Sequence, residues 1–310
     1  SGFTLLFEAL VLMLAPQMPF AAVARIVGLS PYRVLAICRR YVALALQAAD
    51  FGHVRALAID ETSRARGHDY ITLAADAVQR RVLAVAEGRE AKTIAAIAAE
   101  LAEHGCVPES IESVSIDMSP AFIKGCADEL PNARITFDKF HVLWHANAAV
   151  DKMRRIEQRR DKSLKGMRWS LLKDRASLKP EAAAELDALI ARMTTVRTAR
   201  AWVYKEQLRE ILQRKQINVV RDMLKHWCTC VMRSKVEPMK EVAAMVRRHL
   251  EGIVAWAQTR QTNGFLEALN GLFQAAKRRA RGFTRFDTIR TVIFLIAGKL
   301  DFAAVNPHAR

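Results

Sequence analysis

The chain has 310 residues, 51% of them hydrophobic, with 48 lysines and arginines against 32 acidic residues and a net charge of +16. This composition supports a large core with attached modules and excludes a disordered chain. The excess of positive charge points to a polyanionic partner, with nucleic acid ahead of an anionic membrane surface because the basic residues are spread over several segments and line no single amphipathic helix.

The first region, residues 1–50, contains PFAAVARIVGLSPYRVLAICRRY from Pro19 to Tyr41, which reads as a short helix, a turn at Gly28-Leu29-Ser30 and a second helix. Ser30 is placed to cap the second helix with Pro31 at its first position, and Val23, Val27, Val34 and Cys38 are spaced to pack between the two. Tyr32, Arg33, Arg39 and Arg40 are then available to DNA. An ordinary helical hairpin with solvated arginines accounts for this segment equally well.

Over residues 51–140 the pattern changes to short β-rich runs: VRALAID, DYITLAADA and RRVLAVAEG, then a helical AKTIAAIAAELAEHG, then IESVSID and ARITFD with the helical AFIKGCADEL between them. Three strands joined by short turns, a crossover helix and two further strands predict an α/β fold, a mixed sheet covered by helices in the order of an RNase H-like core. Residues 141–261 carry almost only helical pattern with charge-rich surfaces around Lys152 to Arg160 and Lys162 to Lys179, and read as a large all-helical insertion. Residues 262–310 return to amphipathic helix, expected to pack back on the sheet. The apolar stretches Leu5 to Ala15 and Thr291 to Gly298 are too short to span a bilayer, no secretory signal opens the chain, and the five cysteines form no disulfide framework. A cytoplasmic protein with no membrane partner is the expectation.

Asp60 is expected to end the first apolar strand and Asp117 another, each after alternating β-branched residues and before a polar break. On neighbouring strands their carboxylates would share one edge of the sheet, where close acids repel unless a cation lies between them. Hard oxygen ligands with open positions suit Mg²⁺ or Mn²⁺. In TNGFLEALNGLFQAAKRRARGF, helical spacing puts Asn263, Glu267, Asn270, Gln274 and Arg278 on one side and Phe265, Leu266, Leu269, Leu272 and Phe273 on the packing side. Glu267 would add a metal oxygen, and Lys277, Arg278, Arg279 and Arg281 could hold a DNA backbone; a solvated helix face is the plainer account of the same stripe.

Together these segments resemble the insertion-sequence transposases of the ISL3 family, within the larger DDE group. The resemblance is carried by MPFAAVARIVGLS, ALAIDETSRARGHDY, the pair SIDMSPAF and FDKFHV, and TNGFLEALNGLFQAAKRRARGF, which in order and spacing cover nearly the whole chain. It implies that Asp60, Asp117 and Glu267 match the catalytic acidic triad, that the helical insertion separates the second and third acids, and that two Mg²⁺ or Mn²⁺ ions serve cleavage at transposon ends and transfer of a 3′-hydroxyl into target DNA. It also implies double-stranded DNA partners, the terminal inverted repeats and the target, a homodimer or higher oligomer on that DNA with the insertion as first choice for joining two ends, and a bacterial, nucleoid-associated setting. Family members carry a cysteine-rich zinc-binding segment upstream of the helix-turn-helix; this sequence contains no paired CxxC, so that module is either outside it or absent.

Asp138 and His141, within DKFHV, are secondary candidates as neighbours of the active site, as are Asn263 and Asn270. His141 and His145 have the i, i+4 spacing of a zinc pair but lack an HExxH context. Glu61 should point away from Asp60 if the strand continues past it. Cys228, Cys230 and His226 lack the second ligand pair of a structural zinc site, and the five tryptophans are expected mainly in the core.

Overall fold

The computed structural model describes residues 2–65, 67, 69–259, 263–283 and 285–309. The chain divides into two compact units, one made of residues 1–135 and 261–310, the other of residues 136–260.

The first unit opens with three helices, α1 (Leu5–Leu14), α2 (Phe20–Val27) and α3 (Pro31–Gln47). Ser30 caps α3 as its type and position predict, its hydroxyl accepting the Arg33 N–H at 3.3 Å with Pro31 at the first helical position. Gly28 closes α2 in the left-handed region at φ +68°, and the two helices meet at 106°. Val23, Val34 and Cys38 are buried between them, and burial pushes the Cys38 thiol up to about 12. No single described helix is long and apolar enough to cross a membrane.

The sheet follows: β1 (Ala56–Ala65), β2 (Asp69–Asp76), β3 (Arg81–Glu87), helix α4 (Ala91–Glu103), β4 (Ser113–Ile116), helix α5 (Pro120–Glu129) and β5 (Arg134–Phe137), through which the chain enters the second unit. The strand order is β3-β2-β1-β4-β5, with β1–β2 and β2–β3 antiparallel and β1–β4 parallel. β2 and the edge strand β3 are buried on both faces over most of their length, in keeping with their near-continuous apolar runs. Gly125 lets α5 approach α4 closely, since a Cβ there would lie 2.7 Å from Ile94.

One expectation is corrected here. Asp60 does not end the first strand; β1 continues for five more residues through the polar ETSRA. The polar break marks the loss of one neighbour and not the end of the strand, because β4 pairs only with Ala56–Ala58 while β2 pairs with β1 from Leu57 to Ala65.

After the end of β5 the described residues of the second unit form helices: α6 (Lys139–Glu157), α7 (Arg168–Leu172), α8 (Pro180–Ala191), α9 (Arg197–Gln213), α10 (Ile217–Met232), α11 (Glu237–Arg248) and α12 (Leu250–Thr259), with short 3₁₀ turns. Its core is drawn from Val142, Val150, Leu208, Leu224, Trp227 and Val246. Trp227 fills core with its indole N–H donated to the Tyr204 carbonyl at 2.9 Å. Trp202 and Trp256 are also buried, whereas Trp144 and Trp169 are exposed.

The chain then returns to the first unit as α13 (Gly264–Arg279) and α14 (Phe286–Ala297). α14 packs on β3 and α3, and Arg290 pairs with Glu100 of α4 at 2.6 Å. Beyond it, Asn306 donates to the Leu5 carbonyl at 2.8 Å and to the Tyr41 hydroxyl at 3.2 Å. Tyr41 and Arg40 in turn converge on the buried Glu8 carboxylate at 2.6 and 2.5 Å. Glu8 interrupts the apolar run of α1 because this node, not solvent, receives it.

Candidate active site

The parallel register pairs Ala58 of β1 with Ser115 of β4. Two residues further along each segment lie Asp60, within β1, and Asp117, just past β4; continuing the register would bring them level on one face. Asp117 is the first residue beyond β4, and its Oδ1 accepts the Ser119 N–H at 2.9 Å, which orients it at the turn into α5. Among the described residues it forms no ion pair. Asp60 is almost fully buried, 9% exposed; its Oδ1 accepts the Glu61 N–H at 3.0 Å and its Oδ2 accepts the Asn270 amide at 3.0 Å. Glu61 lies on the opposite face, as expected of a continuing strand, 3.9 Å from Arg89, which stacks over Tyr70.

α13 runs beside β1 where β4 has ended. Asn263 Nδ2 donates to the Ile59 carbonyl at 3.2 Å, Gln274 Nε2 to the Ser63 carbonyl at 2.9 Å and to the Thr62 hydroxyl at 3.2 Å, and Lys277 Nζ to the Ser63 carbonyl at 3.3 Å. Ile59 and Ser63, four residues apart, point their carbonyls to one edge of the strand, so the helix takes over hydrogen bonding that a neighbouring strand would provide. Leu266, Leu269 and Phe273 are buried behind this stripe; Leu272, expected to pack, is 58% exposed.

Glu267 belongs to the same stripe, one turn from both Asn263 and Asn270, and is exposed. Among the described residues no three acidic, histidine or cysteine side chains lie close enough to hold one metal ion. What α13 brings to Asp60 is therefore an amide, and Glu267 stands beside that contact without joining it. The buried Oδ1 of Asn270 has no hydrogen-bond partner among the described residues. An unsatisfied amide oxygen on a side chain bonded to the Asp60 carboxylate makes a hard-oxygen donor set that fits Mg²⁺ or Mn²⁺ better than a softer ion.

Asp138 is fully buried and caps α6 through the Phe140 N–H at 2.8 Å. The buried Nδ1 of His141 has no partner, and His145 stacks edge-on against Trp144. On α3, Tyr32, Arg33 and Arg39 are exposed, but Arg40 is committed to Glu8. Arg278, Arg279 and Arg281 are exposed at the end of α13, while Lys277 is drawn to β1. The bonds from Gln274 and Lys277 to the Ser63 carbonyl are not expected from sequence; Gln274 stands on the polar stripe, whereas Lys277 reads as part of the basic cluster for the DNA backbone.

The fold and the site define an α/β protein with a mixed five-stranded sheet, an acid on β1 and another just past the neighbouring parallel strand β4, and an N-terminal bent helix pair. Comparison with known proteins narrows it. The family profile described as transposase, for ISL3 elements, matches residues 57–293, and the profile described as the helix-turn-helix domain of transposase family ISL3 matches residues 1–42. The chain is 27% identical over 270 residues to the transposase for insertion sequence element IS1001 of Bordetella parapertussis, covering 84% of this chain and 66% of that protein. It is 28% identical over 316 residues to the transposase for IS1557 of Mycobacterium tuberculosis, covering 91% of this chain and 69% of that protein. The matched stretch thus spans about two thirds of the length of these relatives. This chain belongs to the ISL3 family of transposases.

Proposed function

We propose that this chain is a metal-dependent DNA transposase that cleaves DNA at the ends of an insertion sequence and transfers the freed 3′-hydroxyl to target DNA, within an RNase H-like catalytic fold. The observation that supports this reading best is the parallel register of β1 and β4, which pairs Ala58 with Ser115, each two residues before one of the acids Asp60 and Asp117. A pair of divalent ions, held by Asp60 and Asp117 with Glu267 as the third acid, would supply Lewis-acid stabilisation of the attacking and leaving oxygens.

The chain's own residues do the positioning. Asn270 fixes one oxygen of Asp60 and the Glu61 N–H fixes the other, so the carboxylate enters the reaction already oriented. The Ser119 N–H does the same for Asp117. The stripe of α13 that grips β1 sets the level of Glu267, so substrate need only complete a site whose acids already have fixed backbones. Tyr32, Arg33 and Arg39 on α3 and Arg278, Arg279 and Arg281 beyond α13 are the proposed contacts to double-stranded DNA, chiefly to phosphates. Bringing two element ends together calls for at least two copies on the DNA.

The test is incubation of the protein with labelled element-end DNA and a target plasmid in Mg²⁺ or Mn²⁺, beside Asp60→Asn, Asp117→Asn and Glu267→Gln. Metal-dependent cleavage and joining, lost in all three folded variants, supports the proposal. Hydrolysis without any joined product identifies a nuclease instead, and specific binding with neither activity identifies a DNA-binding protein.

A further inference from the structure

The charge of the chain is divided very unevenly. Residues 136–260 contain 27 lysines and arginines against 14 acidic residues, net +13, whereas the rest contains 21 against 18, net +3. Attraction for a polyanion therefore comes mostly from the helical unit and little from the unit that carries the helix-turn-helix and the acids.

Within the helical unit a cleft of about 390 Å³ opens between the end of α6 and the link from α8 to α9. Arg159, Arg160, Arg192 and Arg197 line it together with Glu157 and Asp161. Both acids are already engaged. Glu157 caps α9, accepting the Arg197 N–H at 3.0 Å and the Thr198 N–H and hydroxyl at 2.7 Å each, and it pairs with the Arg197 guanidinium at 3.3 Å. Asp161 accepts from Ser163 and from Arg192 at 2.7 Å, contacts that hold its carboxyl below the usual carboxylate range. Arg159 and Arg160 are exposed and make no ion pair or side-chain hydrogen bond among the described residues.

We infer that this cleft seats backbone phosphates of double-stranded DNA, with Arg159 and Arg160 as the direct contacts. It is concave, and its cationic lining is arginine without lysine; guanidinium forks match phosphate oxygens two at a time, whereas a flat anionic bilayer would meet lysine and arginine alike on a convex face. The carboxylates of Glu157 and Asp161, already saturated by donors, hold Arg197 and Arg192 in place and leave the other two guanidinia for the ligand. The inference rests on the chain being a DNA-binding transposase, but not on its chemistry.

The experiment measures binding of the whole chain to a random-sequence duplex of about 30 bp, lacking element ends, in EDTA over a range of monovalent salt. Each phosphate contact contributes roughly 0.9 to the log–log salt slope, so Arg159→Gln/Arg160→Gln should weaken binding and lower the slope by roughly 1.8. Arg233→Gln/Lys235→Gln removes the same charge from another exposed site of the helical unit and should leave binding close to that of the parent protein. Circular dichroism checks that both variants fold. An unchanged slope in the first variant, or an equal fall in the second, overturns the inference. So does tighter binding to an RNA duplex than to DNA, or a loss confined to anionic vesicles. Because no cleavage is measured, a chain without transposase activity still gives a decisive result here.

Discussion

Asn270 reaches across 210 residues of sequence to donate its amide to Asp60 at 3.0 Å. It is the only side-chain bond from α13 to a candidate catalytic carboxylate among the described residues, and it ties the last segment of the first unit to its first strand.

Replacing Asn270 by alanine removes a hydrogen bond to a nearly buried carboxylate, a loss of about 1.5–3 kcal/mol. Urea unfolding should show this destabilisation. Asn270→Asp would instead set a second carboxylate against Asp60, and its stability should depend on Mg²⁺ far more than that of the parent protein. Equal stability of Asn270→Asp with and without the ion counts against a cation at this place.

Glu267 is exposed and its side chain makes no ion pair or hydrogen bond among the described residues, so Glu267→Gln should shift stability by no more than about 0.5 kcal/mol. Strand cleavage should nevertheless fall by about 100-fold or more if its carboxylate serves the site. Retained cleavage removes Glu267 from the catalytic set and leaves Asp60, Asp117 and the Asn270 amide to account for the chemistry.

Glu8→Gln breaks the node that joins α1, α3 and the C-terminal segment. Glu8 is 1% exposed, but its partner Arg40 keeps 38% of its side chain in solvent and can rehydrate. The cost should therefore lie near the level of a hydrogen bond to a charged group, about 1.5–3 kcal/mol, and below that of a fully buried pair. Thermal unfolding checks it; a melting temperature equal to that of the parent protein would show that the node contributes nothing.

His249 packs edge-on against Phe137, and burial, with Arg248 adding repulsion, holds its pKa below 6.5. The unfolded chain then binds the proton more readily, so this group's contribution is present above pH 6.5 and is lost as the pH falls from there toward the lowered folded value. In His249→Phe that component should be missing, and urea midpoints between about pH 5 and 7 should vary less with pH than those of the parent protein. Identical pH profiles would contradict the assignment.

Much of the fold was legible because its signals are local. The β-branched runs, the Ser30 cap with Pro31 and the polar stripe of α13 each depend on residues within a few positions of one another. The level of Asp60 and Asp117 could be guessed only as far as both acids follow apolar runs. That β1 continues to Ala65 was hidden, because ETSRA is polar for a reason outside the strand: β4 stops early and α13 takes its place. Arg40 read as available to DNA because its partner, Glu8, lies 32 residues earlier inside an apolar helix. The basic character of the helical region was legible as charge-rich surfaces around Lys152 to Arg160 and Lys162 to Lys179; which of its arginines are already paired with acids was not, because those pairs join residues 31 and 40 positions apart.

The first unit is interrupted in sequence, and the interruption governs the order in which it can be made. A ribosome delivers β1 to β5 first, then the 125 residues of the helical unit, and only afterwards the helix that holds Asp60. Contacts of such long range form late in folding. Until residues 263–277 emerge, the Ile59 and Ser63 carbonyls lack their partners on α13 and the acids stand on an unfinished edge. If the proposed function and the inferred phosphate cleft hold, a nascent or prematurely terminated chain would present its basic helical surface before α13 completes the site, and would occupy DNA without breaking it.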